Sequence, residues 1–134
     1  MNSRSNEPWV WLEPEAIVAI HDEQITEHGG TLGVRDRGLL ELALARPRTI
    51  AAYGALDAAK LAATYAIAIA HNFPFVDGNK RTAYVALELF LDQNGHEFAA
   101  TDPDAATMML EMAAGDVPDE DFIAWVRRHA RARP

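Results

Sequence analysis

The run from Asn79 to Gln93 constrains this chain more than any other stretch. Tyr84, Val85, Leu87, Leu89, Phe90 and Leu91 fall nearly all round a helical wheel. A helix that is apolar on every side is buried on every side, so this one belongs at the centre of a domain, and Asn94-Gly95 closes it. A second apolar run, Leu61 to Ala70, comes just before. Asp57 is placed to cap that helix, which continues to about His71. Its alanines at 62, 63, 66, 68 and 70 let neighbouring backbones approach closely. Between the two helices lies a polar turn within Ala70-His71-Asn72-Phe73-Pro74-Phe75-Val76-Asp77-Gly78-Asn79-Lys80-Arg81-Thr82.

The chemistry of that turn is specific. Gly78 permits positive φ or a close backbone approach. Asn79, Lys80 and Arg81 then open a helix, where unpaired N–H groups and the dipole's positive end favour an anion. Lys80 and Arg81 add formal charge, and Asp77 supplies an oxygen of the kind Mg²⁺ prefers. A plain helix–helix turn is the commonest meaning of Gly-Asn. The gathering of amides, cations and one carboxylate points instead to a phosphate-plus-metal site for a nucleotide.

Most of the remaining elements are helical. Met1 to Glu7 reads as a loose tail, and Trp9-Val10-Trp11-Leu12 as a short edge strand or a lid over the core. Pro14 suits the first turn of a helix carrying Ile17, Ile20, Gln24 and Ile25, which Gly29-Gly30 stops. His21, Asp22 and His28 on that helix read as a solvated face. Asp36 caps a helix from Arg37 to Ala45, ended by Pro47, with Arg46 to Gly54 as a connection. His96 to Ala100 is an extended link. Thr101 starts a helix ended by Gly115, and Val117-Pro118-Asp119-Glu120-Asp121 starts the last. Met108, Met109, Leu110 and Met112 read as core or groove lining, and the arginines 127, 128, 131 and 133 suit a helix C-terminus.

Charge and composition exclude several classes. The net charge is −8 over 134 residues, which argues against general nucleic-acid binding. The absence of cysteine rules out disulfides and thiolate metal sites and fits a cytoplasmic protein. No apolar run approaches the thickness of a bilayer. Lys60 and Lys80 are the only lysines, one of them in the turn.

Pro74-Phe75-Val76-Asp77-Gly78-Asn79-Lys80-Arg81-Thr82-Ala83 resembles the signature loop of the Fic/Doc family, in its death-on-curing (Doc) toxin branch. His28-Gly29-Gly30, the segment Gly33 to Glu41 and Ala45-Arg46-Pro47 are similar to Doc-like toxins as well. The resemblance implies an all-α domain over residues 1–134: about six helices around a central buried one, with at most a small N-terminal strand or hairpin. It implies ATP and Mg²⁺, with Asp77 holding the metal, Asn79 orienting phosphate oxygens, Arg81 neutralising phosphate charge and Phe75 anchoring the loop. It places the segment near Arg46–Gly54 at the mouth of the site. AMP-transferring Fic enzymes carry Gly where this chain has Lys80, and usually an Arg where it has Tyr84. Lys80 fills the anion hole, so the resemblance is to the branch that transfers the γ-phosphoryl group, to a threonine of elongation factor Tu.

One residue departs from the pattern. The family's general-base His falls at position 73, and position 73 is Phe. Three readings stand: a deliberate or selected inactivation, a natural pseudoenzyme that keeps only binding, or a shifted loop in which His71 acts. The implied partners are an antitoxin whose disordered segment folds on binding, and a translation factor as target. Trp9, Trp11, Met108, Met109, Met112 and Trp125 are candidates to line the antitoxin groove, and the acidic surface suits a segment with Lys or Arg at its rim.

Overall fold

Helix starts follow the capping residues. Asp36, Asp57 and Thr101 accept the backbone N–H groups of Leu39, Lys60 and Asp104 at 3.0, 3.1 and 3.3 Å. The computed structural model describes residues 9–54 and 57–134. The expected tail, Met1 to Glu7, lies outside the described residues. The helices are α1 (Pro14–His28), α2 (Arg37–Ala51), α3 (Ala58–Asn72), α4 (Asn79–Gln93), α5 (Asp102–Ala113) and α6 (Asp119–His129). Two short strands, β1 (His96–Phe98) and β2 (Ala130–Ala132), pair antiparallel with Phe98 opposite Ala130. The all-α architecture expected from the sequence is observed.

The core is built on α3 and α4, packed against each other. α3 also meets α2, α5 and α6, while α4 meets α1, β1 and α5. Leu61, Tyr65 and Ile69 from α3 interleave with Leu87, Phe90 and Leu91 from α4, all fully buried. The alanines Ala62, Ala63, Ala66, Ala83 and Ala86 are buried too. Small side chains in both helices let the backbones come close and hold the intervening turn on a rigid base.

Two expectations are corrected, and one open alternative is decided. The small sheet is not N-terminal; β1 lies in the segment read as an extended link, and its partner follows α6. Trp9–Leu12 is a lid rather than a strand. The Asn94 side chain pairs with Val10 N–H (2.8 Å) and C=O (3.1 Å), and Tyr65 Oη accepts from Leu12 N–H at 3.0 Å. The Trp9 and Trp11 rings cover Phe90 at centroid distances of 6.1 and 6.0 Å. Side chains thus satisfy the backbone, and no strand partner is needed. Finally, α2 runs through Pro47 to Ala51. Burial of Leu44 and Pro47, with Ile50 and Ala51 against the core, offsets a missing hydrogen bond and a local clash worth about 3 kcal/mol.

Tyr65→Phe leaves the buried Leu12 N–H without an acceptor. The expected loss is about 1–3 kcal/mol, read from the urea unfolding midpoint, with a shift in Trp9 and Trp11 fluorescence as the lid loosens.

Candidate nucleotide-phosphate site

The turn between α3 and α4 takes its shape from backbone geometry at two points. Phe73 ends α3 in the left-handed region (φ 49°, ψ 54°), and Gly78 opens α4 in the same region (φ 73°, ψ 21°). Between them the Asn79 side chain closes the loop on itself. Its Oδ1 accepts from Phe75 N–H and its Nδ2 donates to Phe75 C=O, both at 3.0 Å. The Phe75 ring is buried, as expected of an anchor. The phosphate-orienting amide expected at Asn79 is therefore engaged with the loop's own backbone.

No side chain caps α4. The first amide of the helix to reach a carbonyl is that of Thr82, on Gly78 C=O at 3.0 Å. The amides of Asn79, Lys80 and Arg81 are the helix's unpaired donors. Lys80 is exposed and has no ion pair among the described residues. Arg81 is exposed as well, and its Nη2 reaches Gly29 C=O at 3.3 Å.

Asp77 completes the cradle. Its Oδ2 accepts from Thr31 N–H at 3.2 Å and its Oδ1 from Gly78 N–H at 2.9 Å. The Thr31 amide first, then that of Gly78, with Arg81 charge nearby, holds this carboxyl below its ordinary value. It is thus ionised at neutral pH. No cluster of three or more His, Cys, Asp or Glu suited to a metal occurs among the described residues. One ionised, exposed carboxylate beside anion donors fits Mg²⁺, which keeps several waters and takes the rest of its oxygens from phosphates.

The Gly29–Asp36 segment is the part of the site that the sequence reading did not foresee. It pairs with the turn: Arg35 N–H and Asp36 N–H donate to Pro74 C=O at 2.7 and 3.0 Å, and Val76 N–H donates to Gly33 C=O at 3.1 Å. The Arg35 guanidinium donates to Phe73 C=O (2.7 Å) and Asn72 C=O (3.0 Å). His21 was expected on a solvated face, yet it is 1% exposed. Ile17, His21 and Ile25 recur every fourth residue, and that spacing was the available signal for the buried stripe.

Phe73 is 51% exposed at the helix end and offers no titratable group. His71 stands in the last turn of α3, its Nε2 donating to Met112 C=O at 2.9 Å. The residues expected to line an antitoxin groove do not line the open groove between α2, α3 and α6. Met109, Met112 and Trp125 are buried, and Trp9, Trp11 and Met108 pack against the core. The open groove, about 720 Å³, runs between α2, α3 and α6, floored by Ile50, Ile67 and Ile123 and bordered by Arg46, Lys60 and Asp119. Arg46 and Thr49, in the segment expected at the mouth, line it together with His71 and Asn72 beside the turn.

An uncapped helix start with two exposed cations beside one ionised carboxylate has the chemistry of a candidate phosphate-binding loop. The Fic/DOC family model matches residues 11–91. The chain is 33% identical over 118 residues to the protein kinase doc of Escherichia phage P1, covering 87% of this chain and 93% of that protein. It is 46% identical over 101 residues to the toxin Doc of Mycolicibacterium smegmatis, covering 72% of this chain and 76% of that one. The chain belongs to the Fic/DOC family, among its Doc-type toxins.

Gly30 sits against the carboxylate. A Cβ there would lie 2.7 Å from Asp77 Oδ2 and 2.9 Å from Ile25 Cδ1, at a φ of +124°. Gly30→Ala is expected to displace Asp77 and return its pKa toward the ordinary carboxylate range, followed by NMR titration. The sign is fixed: a depressed carboxyl stabilises the fold above its unfolded pKa and loses that contribution as pH falls through the folded value. The acid limb of the stability curve should flatten in the variant.

Proposed function

We propose that this chain is a Doc-type protein phosphotransferase scaffold that binds ATP with Mg²⁺ at the α3–α4 turn and is arrested at the proton-transfer step by Phe73. The observation that carries the reading is the convergence of the α4 amides, Lys80, Arg81 and ionised Asp77 on one open turn. The α4 amides and Arg81 hold phosphate oxygens, Asp77 holds Mg²⁺, and Lys80 brings a compact charge suited to a terminal phosphate. The metal supplies charge neutralisation on the phosphate oxygens. The acceptor is the hydroxyl of a translation factor, elongation factor Tu by family resemblance, and the setting is the cytoplasm, where ATP and that factor occur. A general base at position 73 would take the hydroxyl proton; phenylalanine has no atom able to accept it.

The left-handed conformation at Phe73 supports inactivation over a shifted loop. His is among the residues enriched at positive φ, whereas a bulky Phe there is an outlier. His71 points its Nε2 at Met112 C=O, which supports a structural role for it. The competing readings are a dead binding module for an antitoxin or translation factor, and an AMP-transferring enzyme of the Fic type.

Phe73→His is expected to raise phosphoryl transfer by roughly 10²–10⁴-fold, the usual scale of general-base catalysis, and to arrest growth when expressed. Mass analysis of the modified target distinguishes the classes. A phosphoryl increment supports the kinase reading and a nucleotidyl increment the Fic-type one. Equal growth with either chain at equal protein level would leave the binding module.

The partner reading rests on the groove. Its floor is apolar and its charged border carries Arg46 and Lys60 against a single acid, Asp119. An antitoxin segment folding there as an amphipathic helix, with apolar anchors and acidic flanks, matches that lining better than a basic segment does. Leu42 is 62% exposed on the groove wall, so Leu42→Asp should leave the fold intact. Calorimetry should show antitoxin affinity lowered by about tenfold or more, equivalent to at least about 1.4 kcal/mol. Binding to the parent chain should carry a negative heat-capacity change and a gain in helical circular dichroism.

A further inference from the structure

His21 spends a buried polar side chain on the turn. Its ring stacks on Phe75 with centroids 3.9 Å apart and planes 5° from parallel. Its Nε2 lies 2.7 Å from Asp77 C=O. A carbonyl only accepts, so Nε2 carries the hydrogen and donates. The other ring nitrogen, Nδ1, is 3.7 Å from an Asp22 carboxylate oxygen, beyond hydrogen-bond range. An imidazole at 1% exposure would be costly without its one good bond. That bond is to the backbone of the residue whose carboxylate faces the phosphate site.

The peptide plane carries the effect outward. The C=O of Asp77 and the N–H of Gly78 belong to one rigid trans unit and point in opposite directions. With the carbonyl held inward on His21, the Gly78 N–H is turned toward the Asp77 carboxylate, where it meets Oδ1 at 2.9 Å. Thr31 N–H holds Oδ2 from the opposite segment. Gly78 fits against the same face of α1. A Cβ on it would meet Ile25 Cδ1 at 3.1 Å and His21 Nε2 at 3.7 Å. His21 thus fixes the peptide that aims the carboxylate and launches α4.

We propose that His21 is a positioning residue for the Asp77 metal–phosphate site, acting through the Asp77–Gly78 peptide without touching ligand itself. This rests on the nucleotide reading above. His21→Phe keeps an aromatic ring on Phe75 and removes the donor; His21→Gln offers a side-chain N–H again. The probe is ATP with Mn²⁺ in place of Mg²⁺, followed by electron paramagnetic resonance and calorimetry on the full chain with Phe73 present. His21→Phe should weaken Mn²⁺–ATP binding by about 10–100-fold, the scale for groups that orient metal ligands, and metal-free ATP much less. His21→Gln should recover most of the loss. A purely structural role would lower both affinities alike. Amide exchange at Gly78 and Thr31 reads the clamp without ligand and should quicken in His21→Phe but not in His21→Gln. If the parent chain binds no Mn²⁺–ATP, the nucleotide reading fails, and quickened exchange still supports the clamp. Unchanged exchange at both amides in His21→Phe, or undiminished Mn²⁺–ATP affinity in His21→Phe where the parent binds it, overturns the proposal.

Discussion

The two hydrogen bonds between the Asn79 side chain and the backbone of Phe75 are what the site's shape depends on. They sit in a buried place, and leaving either backbone group unpaired there would cost about 1–3 kcal/mol. Because the same residue is the first of α4, closing the loop also sets the helix direction. Gly78 makes the closure possible by taking positive φ, and the helix then starts with no side chain over its first amides. The row of uncapped amides at the start of α4 is thus a consequence of how the turn is closed. A capping Ser or Asp at that start would have stabilised the helix and occupied those donors.

Phe73 sits at the other hinge, and its conformation is imposed from outside. Arg35 holds the carbonyls of both Asn72 and Phe73, and Arg35 and Asp36 amides hold that of Pro74. Three successive carbonyls tied to one segment leave the helix end little freedom. A non-glycine residue kept in the left-handed region costs on the order of 1–3 kcal/mol and persists only where its surroundings over-determine it. The surroundings here do so for the backbone, whatever side chain stands at 73. Replacing the side chain therefore changes the chemistry available at the site much more than the frame around it.

The local parts of this architecture were legible in the sequence. Asp36, Asp57 and Thr101 cap as their residue types and positions suggest, and Gly29 and Gly95 take the positive φ that ends α1 and α4. The Pro74–Thr82 turn and its cations were legible for the same reason, since their chemistry lies within one short segment. What was missed is long-range. β1 finds its partner more than thirty residues on, α2 passes Pro47 because tertiary burial outweighs a local penalty, and Gly30 matters only because Asp77 lies against it. His21 is an intermediate case. Its spacing from Ile17 and Ile25 announced a buried position, and the polarity of imidazole argued the other way.

The placement of charge bears on how an acidic chain could hold the anion proposed for it. With a net charge of −8, the protein's overall field repels a nucleotide at long range. That field is screened beyond about 8 Å at physiological ionic strength, so the groups next to the ligand decide the outcome. Lys80 and Arg81 are exposed beside unpaired amides, and the nearest acid, Asp77, is the one a divalent cation would cover. The other lysine, Lys60, borders the groove on the same helix whose end forms the turn. α3 therefore carries both surfaces. One face buries Leu61, Tyr65 and Ile69, the other presents Lys60, Ile67 and His71 to the groove, and its last residue leads into Phe73. An occupant of the groove would lie against the helix that sets the turn, so the proposed partner docking and phosphate binding would share a rigid element while drawing on separate charges.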